Sequence, residues 1–183
     1  MDEILHAQQK RIVKKRIMFN KEDDYYFITY NLMLFLCRNK LVSCDKRLID
    51  YRKLAYIIPF ISDRGLLNIL ENSMEKQDNG SQIYILQNLY YNTRLNFKIF
   101  TPIILALEGK GLIHLLKNPK KSCIDIWLNT DNIPRDFLSN EIFSMEYNNI
   151  TRFNKLVPRN RTINLNTMLD KIFRENGVMV WES

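Results

Sequence analysis

Apolar residues along this chain keep helical spacing for most of its length and switch to strand-like alternation once. Residues 21–39 predict a helix whose Tyr26, Ile28, Tyr30, Leu32, Met33, Leu34, Phe35, Leu36 and Cys37 form a nearly all-round apolar body. Such a helix is expected at the centre of the fold. Glu22, Asp23 and Asp24 crowd its first turn, where carboxylates favour the positive end of the helix dipole. A second helix is expected over 45–58, with Leu48, Tyr51, Leu54, Ala55 and Ile58 on one face, Lys46, Arg47, Arg52 and Lys53 on the other, and Pro59 as its stop. Ser62 or Asp63 caps a third over 64–77, where Leu66, Leu67, Ile69, Leu70 and Met74 define a face, and 77–81 reads as a loop. Residues 81–93 pair strand-like composition with helix-like length, and a mixed segment is expected there.

The pattern then becomes specific. Phe97, Phe100, Ile104 and Leu107 recur at three- and four-residue steps, and the helix they predict stops at Glu108-Gly109-Lys110-Gly111, where a glycine can take the left-handed conformation. Within it, either Thr101 caps a short helix with Pro102 at its first position, or a longer helix bends there. Residues 112–116 and 122–128 are β-rich runs around the turn Asn118-Pro119-Lys120-Lys121. A last long helix is expected over 131–154, with Phe137, Leu138, Ile142, Phe143, Met145, Tyr147, Ile150 and Phe153 at helical steps. The tail carries Ile163, Leu165, Met168, Leu169, Ile172 and Phe173, then an apolar Val178–Trp181 run that docks on its own core or on a partner. Helix, glycine stop and hairpin are the second half of a winged helix. The expected fold is therefore mainly α with a small β-hairpin: a basic N-terminal arm or short helix (1–20), a winged-helix-like domain (21–155) and a C-terminal helical tail (156–183).

Charge changes this picture by pointing to an anionic partner. The chain carries a formal +7, and six cations up to residue 21 (Lys10, Arg11, Lys14, Lys15, Arg16, Lys21) face only Asp2 and Glu3. Candidate phosphate contacts are Lys10, Arg11, Lys14, Lys15 and Arg16 in the arm, Arg94, Lys98 and Lys110 around the helix, and Lys117, Lys120 and Lys121 at the wing turn. The helix itself has no Arg, Asn or Gln between Phe97 and Gly109, so it is poor in base-reading side chains. Ile103 and Leu105 there, and Trp181 in the tail, are candidate partner-docking residues.

Composition supplies no catalytic constellation. His6 and His114 are the two histidines, and with Cys37, Cys44 and Cys123 they match no metal-ligand spacing. The five glycines form no phosphate-cradling loop, so neither metal nor cofactor is expected. The odd cysteine count, the acidic start and the lack of a long apolar run lead us to expect a cytoplasmic chain without a membrane span.

The order of elements carries a resemblance. Residues 31–63 (NLMLFLCRNKLVSCDKRLIDYRKLAYIIPFISD), the Leu89-Tyr90-Tyr91 step, the Ala106-Leu107-Glu108-Gly109-Lys110-Gly111-Leu112-Ile113 junction, the hairpin and a closing helix at 144–153 resemble the middle component of bacterial ABC-three-component systems, the small subunit of Lamassu-type anti-phage defence. The likeness spans about 23–153. It implies a non-catalytic subunit that joins an SMC/Rad50-like coiled-coil ATPase to an effector nuclease, with hydrolysis and cleavage left to those partners and double-stranded DNA as the further ligand. The alternative from charge alone is a free-standing winged-helix DNA-binding regulator.

Overall fold

A computed structural model describes residues 25–75, 80–134, 137–138 and 142–181. The arm cations Lys10, Arg11, Lys14, Lys15 and Arg16 and the acids at 22–24 lie outside the described residues. Helix α1 (Tyr25–Arg38) runs through the middle, with every residue from Asn31 to Leu36 buried. It packs against α2 (Lys53–Ser62), α5 (Phe97–Gly109), α6 (Ser144–Leu156) and strand β2 (Cys123–Leu128). Around these sit α3 (Arg64–Met74), α4 (Gly80–Leu95), α7 (Leu165–Ile172) and two 3-10 turns (Thr130–Asn132 and Arg174–Asn176). Strand β1 (Ile113–Asn118) pairs antiparallel with β2, Ile113 opposite Leu128 and Asn118 opposite Cys123. The fold is mainly α with one β-hairpin.

The helix expected over 45–58 does not form as such. Residues 44–52 are irregular and run along β2: Leu48 exchanges both backbone hydrogen bonds with Ile126 (2.9 and 3.0 Å), and the Tyr51 N–H donates to the Ile124 carbonyl at 2.8 Å. Asp50 sits at φ +65°, which no helix tolerates. Leu48 gains a fully buried place over the hairpin by this route, and that burial overrides the weak local helical pattern. Helix α2 starts only at Lys53, and Pro59 lies inside it rather than ending it. Proline in a helix interior costs about 3 kcal/mol. Here Ile57, Ile58, Phe60 and Ile61 on both sides of it are buried, and each contributes about 1.5–3 kcal/mol of transfer free energy.

Two further expectations change, and of the two alternatives at Thr101-Pro102 the longer helix forms. Residues 81–93 are not mixed; they lie wholly within α4. The helix expected over 131–154 begins only at Ser144, after the 3-10 turn at Thr130–Asn132. Thr101 is no cap, because α5 continues through Thr101-Pro102. The α5 stop forms as expected. Gly111 takes φ +68°, and the Gly111 and Leu112 N–H groups return to the Glu108 and Leu107 carbonyls, which closes the last turn. Asp63, not Ser62, caps α3, its carboxylate accepting from the Gly65 and Leu66 N–H groups.

The tail belongs to the same core. Phe173 is fully buried against Tyr56, Phe60 and Tyr90, and Met168, Leu169, Ile172 and Val178 join it. The Val178–Trp181 run therefore docks on its own chain: the Trp181 ring lies 5.0 Å from that of Tyr91, and its N–H and carbonyl both bond the Tyr90 hydroxyl. Phe173→Ala is expected to lower the unfolding free energy by about 3–5 kcal/mol in urea titration. A drop below about 1 kcal/mol would mean that the tail is not part of the cooperative unit.

Candidate nucleic-acid interface

The wing turn is held from below by a carboxylate. Asp125 is completely buried on β2 and accepts from Arg47 Nε (2.8 Å), the Asp50 N–H (3.1 Å) and Asn118 Nδ2 (2.9 Å). The carboxamide oxygen of Asn118 then accepts the Lys120 N–H at 3.1 Å, so the lysine-bearing turn inherits its geometry from Asp125. Asp50 is also buried, and its carboxylate takes the Arg52 guanidinium at two points, 2.9 and 2.7 Å. The Arg47–Asp125 ion pair thus fixes the 44–52 segment to the hairpin, and the Arg52–Asp50 pair holds the turn within that segment. Each lifts its arginine's pKa further, chiefly through the hydrogen bond to the carboxylate.

A second pin comes from Lys53. The sequence places it on a solvated helix face, but the structure buries it completely, its Nζ donating to the carbonyls of Asn160 (2.6 Å), Arg161 (3.2 Å) and Ile163 (3.0 Å). These three bonds use all the donors of an ammonium. Asn160 closes the loop from its other side by donating to Asn154 Oδ1 and the Val157 carbonyl. The Ile49 N–H donates to the Arg161 carbonyl (3.0 Å), and Lys121 Nζ reaches from the wing turn to the Thr162 carbonyl (3.2 Å). The loop at 158–163, the segment at 44–52 and the wing turn therefore lie side by side.

The consequence is a basic face that no stretch of sequence displays by itself. Residues 44–52, 117–125 and 158–163 bring together eight cations (Lys46, Arg47, Arg52, Lys117, Lys120, Lys121, Arg159, Arg161) against three carboxylates, a net +5. Two of those carboxylates, Asp50 and Asp125, are buried beneath their arginines. Arg159, Arg161 and the three wing lysines are exposed. Asp50, Ser122 and Arg159 all adopt positive φ (65°, 49° and 60°), a conformation that non-glycine residues rarely take. Backbone strain of this kind persists only where surrounding contacts enforce it, and it clusters at functional sites.

The other sequence candidates are placed elsewhere. Lys117, Lys120 and Lys121 join the basic face. Lys110 stands at the opposite end of β1, about 20 Å from the turn by strand rise, with its ammonium over the Tyr25 ring. Lys98 is exposed on α5. Arg94 is occupied within the fold, bonding the Tyr90 hydroxyl at 3.1 Å and covering the Trp181 ring, because the tail folds back over α4. Ile103 is buried at 3% exposure and cannot dock a partner, whereas Leu105 is exposed. Trp181 is half exposed beside Tyr91. Five cations of the face, Lys46, Arg47, Arg52, Arg159 and Arg161, are absent from the sequence candidates. Arg159 and Arg161 have only the Pro-Arg-Asn-Arg run as their signal, and a helical pattern over 45–58 turns Arg47 and Arg52 to solvent.

Alternatives to this face are weak. A groove of about 140 Å³ between α1, α2 and α5 is lined mainly by Phe27, Ile58, Pro59, Leu66 and Phe100, and its carboxylate, Asp63, is engaged in capping α3. Among the described residues no three of His, Cys, Asp and Glu converge to hold a metal ion, and no described helix is long and apolar enough to cross a membrane. Comparison with protein-family models, curated proteins and solved structures returns no match.

Burial draws the Lys53 ammonium down to about 7 from 10.5, opposed by Asp50 and Asp125. The unfolded chain keeps this proton to about 10.5 while the folded chain releases it from about 7, so folding stability contributed by this site rises with pH in between. Lys53→Met is expected to destabilise by about 1–3 kcal/mol through the carbonyls left unpaired. The stability difference between the wild type and this variant should widen from pH 7 to pH 8.5. A flat difference in chemical denaturation would show the proton held across that window by the three carbonyls.

Proposed function

We propose that this chain is a non-catalytic, winged-helix-like module that holds the phosphate backbone of a polynucleotide on its basic face and serves as an accessory subunit within a larger assembly. The observation that carries the reading is the net +5 surface built from three segments remote in sequence and pinned by two buried ionic groups, Asp125 and Lys53. A merely solvated surface needs no such pinning. Lysines and arginines on a rigid frame bind phosphates and set orientation, but they carry no sequence information.

The winged-helix reading gains support from the Leu48–Ile126 bridge. It joins a single residue from between α1 and α2 to the β2 edge of the hairpin that follows α5. The exposed side chains along α5 are Lys98, Pro102, Leu105, Ala106 and Glu108, which lack the bidentate donors and acceptors that read base edges. Backbone holding therefore fits better than sequence readout, and the Pro102–Leu105–Ala106 surface suits a protein contact. The resemblance of the element order to the small subunit of ABC-three-component defence systems names the partners of this reading: a coiled-coil SMC-type ATPase and an effector nuclease, in the cytoplasm. The second reading, a free-standing regulator, rests on the net charge and the exposed wing lysines Lys117, Lys120 and Lys121. It predicts sequence preference, which the first does not.

In fluorescence anisotropy, oligonucleotides of unrelated sequence should bind with equal affinity. The combined change Lys120→Ala, Lys121→Ala, Arg159→Ala and Arg161→Ala should flatten the slope of log K against log salt by about 3–4, near 0.7 (single strand) to 0.9 (duplex) for each phosphate no longer neutralised. Arg94→Ala should leave the slope unchanged. Binding that is absent at low salt, or a slope that the fourfold variant does not alter, would overturn the proposal.

A further inference from the structure

The hairpin presents apolar surface on both of its faces, although only one covers the core. On the inner face Ile113 and Leu128 are buried and Leu115 packs with the fully buried Ile126. Strand alternation sends His114, Leu116, Trp127 and Asp125 to the other side. There His114 lies opposite Trp127, their ring centroids 5.3 Å apart and their planes inclined by 33°. Leu116, 41% exposed, lies opposite Asp125, and Asp125 is covered by the Arg47 guanidinium. The outward face thus reads, from base to tip, as an aromatic pair, an aliphatic side chain and a guanidinium, before it reaches the turn of Lys120 and Lys121.

A solvent-facing strand surface is ordinarily polar. This one carries an exposed His114 and Leu116 beside a half-buried Trp127, and toward the tip Asn118, Cys123 and Asp125 on the same face are buried next to the cations of the basic face. A duplex offers phosphates to the cations but no base face to the rings, because its bases are stacked inside. An unpaired strand offers both parts of the match, a π-face for the rings and a phosphate chain for the cations.

Building on the nucleic-acid reading above, we propose that the outer face of the hairpin is a base-stacking platform formed by Trp127, His114 and Leu116, and that the ligand of the basic face is a single-stranded polynucleotide. Trp127 supplies the stacking surface, His114 fixes its tilt, and Arg47 flanks the base beyond it. The backbone of the strand then runs toward Lys120, Lys121 and the loop arginines.

The test uses the full chain carrying Trp181→Phe, which leaves Trp127 as its single tryptophan. Its probes are oligo(dT) and oligo(rU) of about 15 nucleotides, and a duplex of the same length. Trp127 emission is expected to be quenched by the single strands and not by the duplex. Trp127→Ala, in the otherwise native chain, should weaken single-strand binding about 5- to 100-fold and change duplex binding less than twofold, and Trp127→Phe should recover most of the affinity. Should Trp127→Ala fail to fold, Leu116→Glu at its exposed position takes its place, with the same selective weakening expected. The dT and rU arms distinguish DNA from RNA as the source of the strand. Equal weakening for single strand and duplex, or an unquenched Trp127 with binding still sensitive to the lysine and arginine changes, would overturn the platform and leave the backbone-holding reading standing. No binding to any probe at low salt would overturn both. A protein that protects Trp127 while the oligonucleotides do not would assign the face to a protein partner and overturn the platform.

Discussion

The burial of one carboxylate governs the arrangement of the basic face. Asp125 has no contact with solvent, and a lone buried charge costs several kcal/mol. It is tolerated because a guanidinium, a backbone N–H and a carboxamide all point at it, from Arg47, Asp50 and Asn118. Those donors come from the segment before α2 and from the other strand of the hairpin, so satisfying Asp125 draws both into one place. Lys53 does the same with opposite sign, gathering the three carbonyls at 160, 161 and 163. Both groups lie beneath the basic face, and the exposed cations stand on backbone that cannot drift. Preorganised cations give up less freedom on binding than mobile ones.

The remainder of the protein frames this face. The buried aromatic group of Tyr56, Phe60, Tyr90, Phe153 and Phe173 joins α2, α4, α6 and the tail. Arg152 on α6 pairs with Glu71 on α3 and ties these two helices together. These contacts account for stability and leave the chemistry to the edge where hairpin, connecting segment and loop meet. In the proposed reading the polynucleotide meets that edge, and the helical body supplies its rigidity.

Much of the fold is legible in the residues, and the reason is period. The α1 core, the Phe100–Ile104–Leu107 face of α5, the glycine stop at Gly111 and the two strands each follow from a local pattern that local physics enforces. The site is legible only in part. The wing lysines announce themselves as a cluster, but Arg47, Arg52, Arg159 and Arg161 meet them through contacts between positions more than 70 residues apart, such as Arg47 with Asp125 and Lys53 with Asn160. The stretch at 45–52 misleads because its apolar spacing suits a helix, while its actual conformation is set by pairing with β2 and by the left-handed Asp50. Ile103 misleads in the same way: helical spacing locates a face but does not say how wide a neighbour covers it.

The central claim is that one surface, assembled from residues 44–52, 113–128 and 158–163, meets a polynucleotide. Hydrogen–deuterium exchange of the full chain, with and without a saturating oligonucleotide, tests it most directly. The account predicts slowed exchange in peptides from those three segments together, with α3 and the exposed face of α4 unchanged. Protection confined to α4 and α5, with the three segments unaffected, would contradict it.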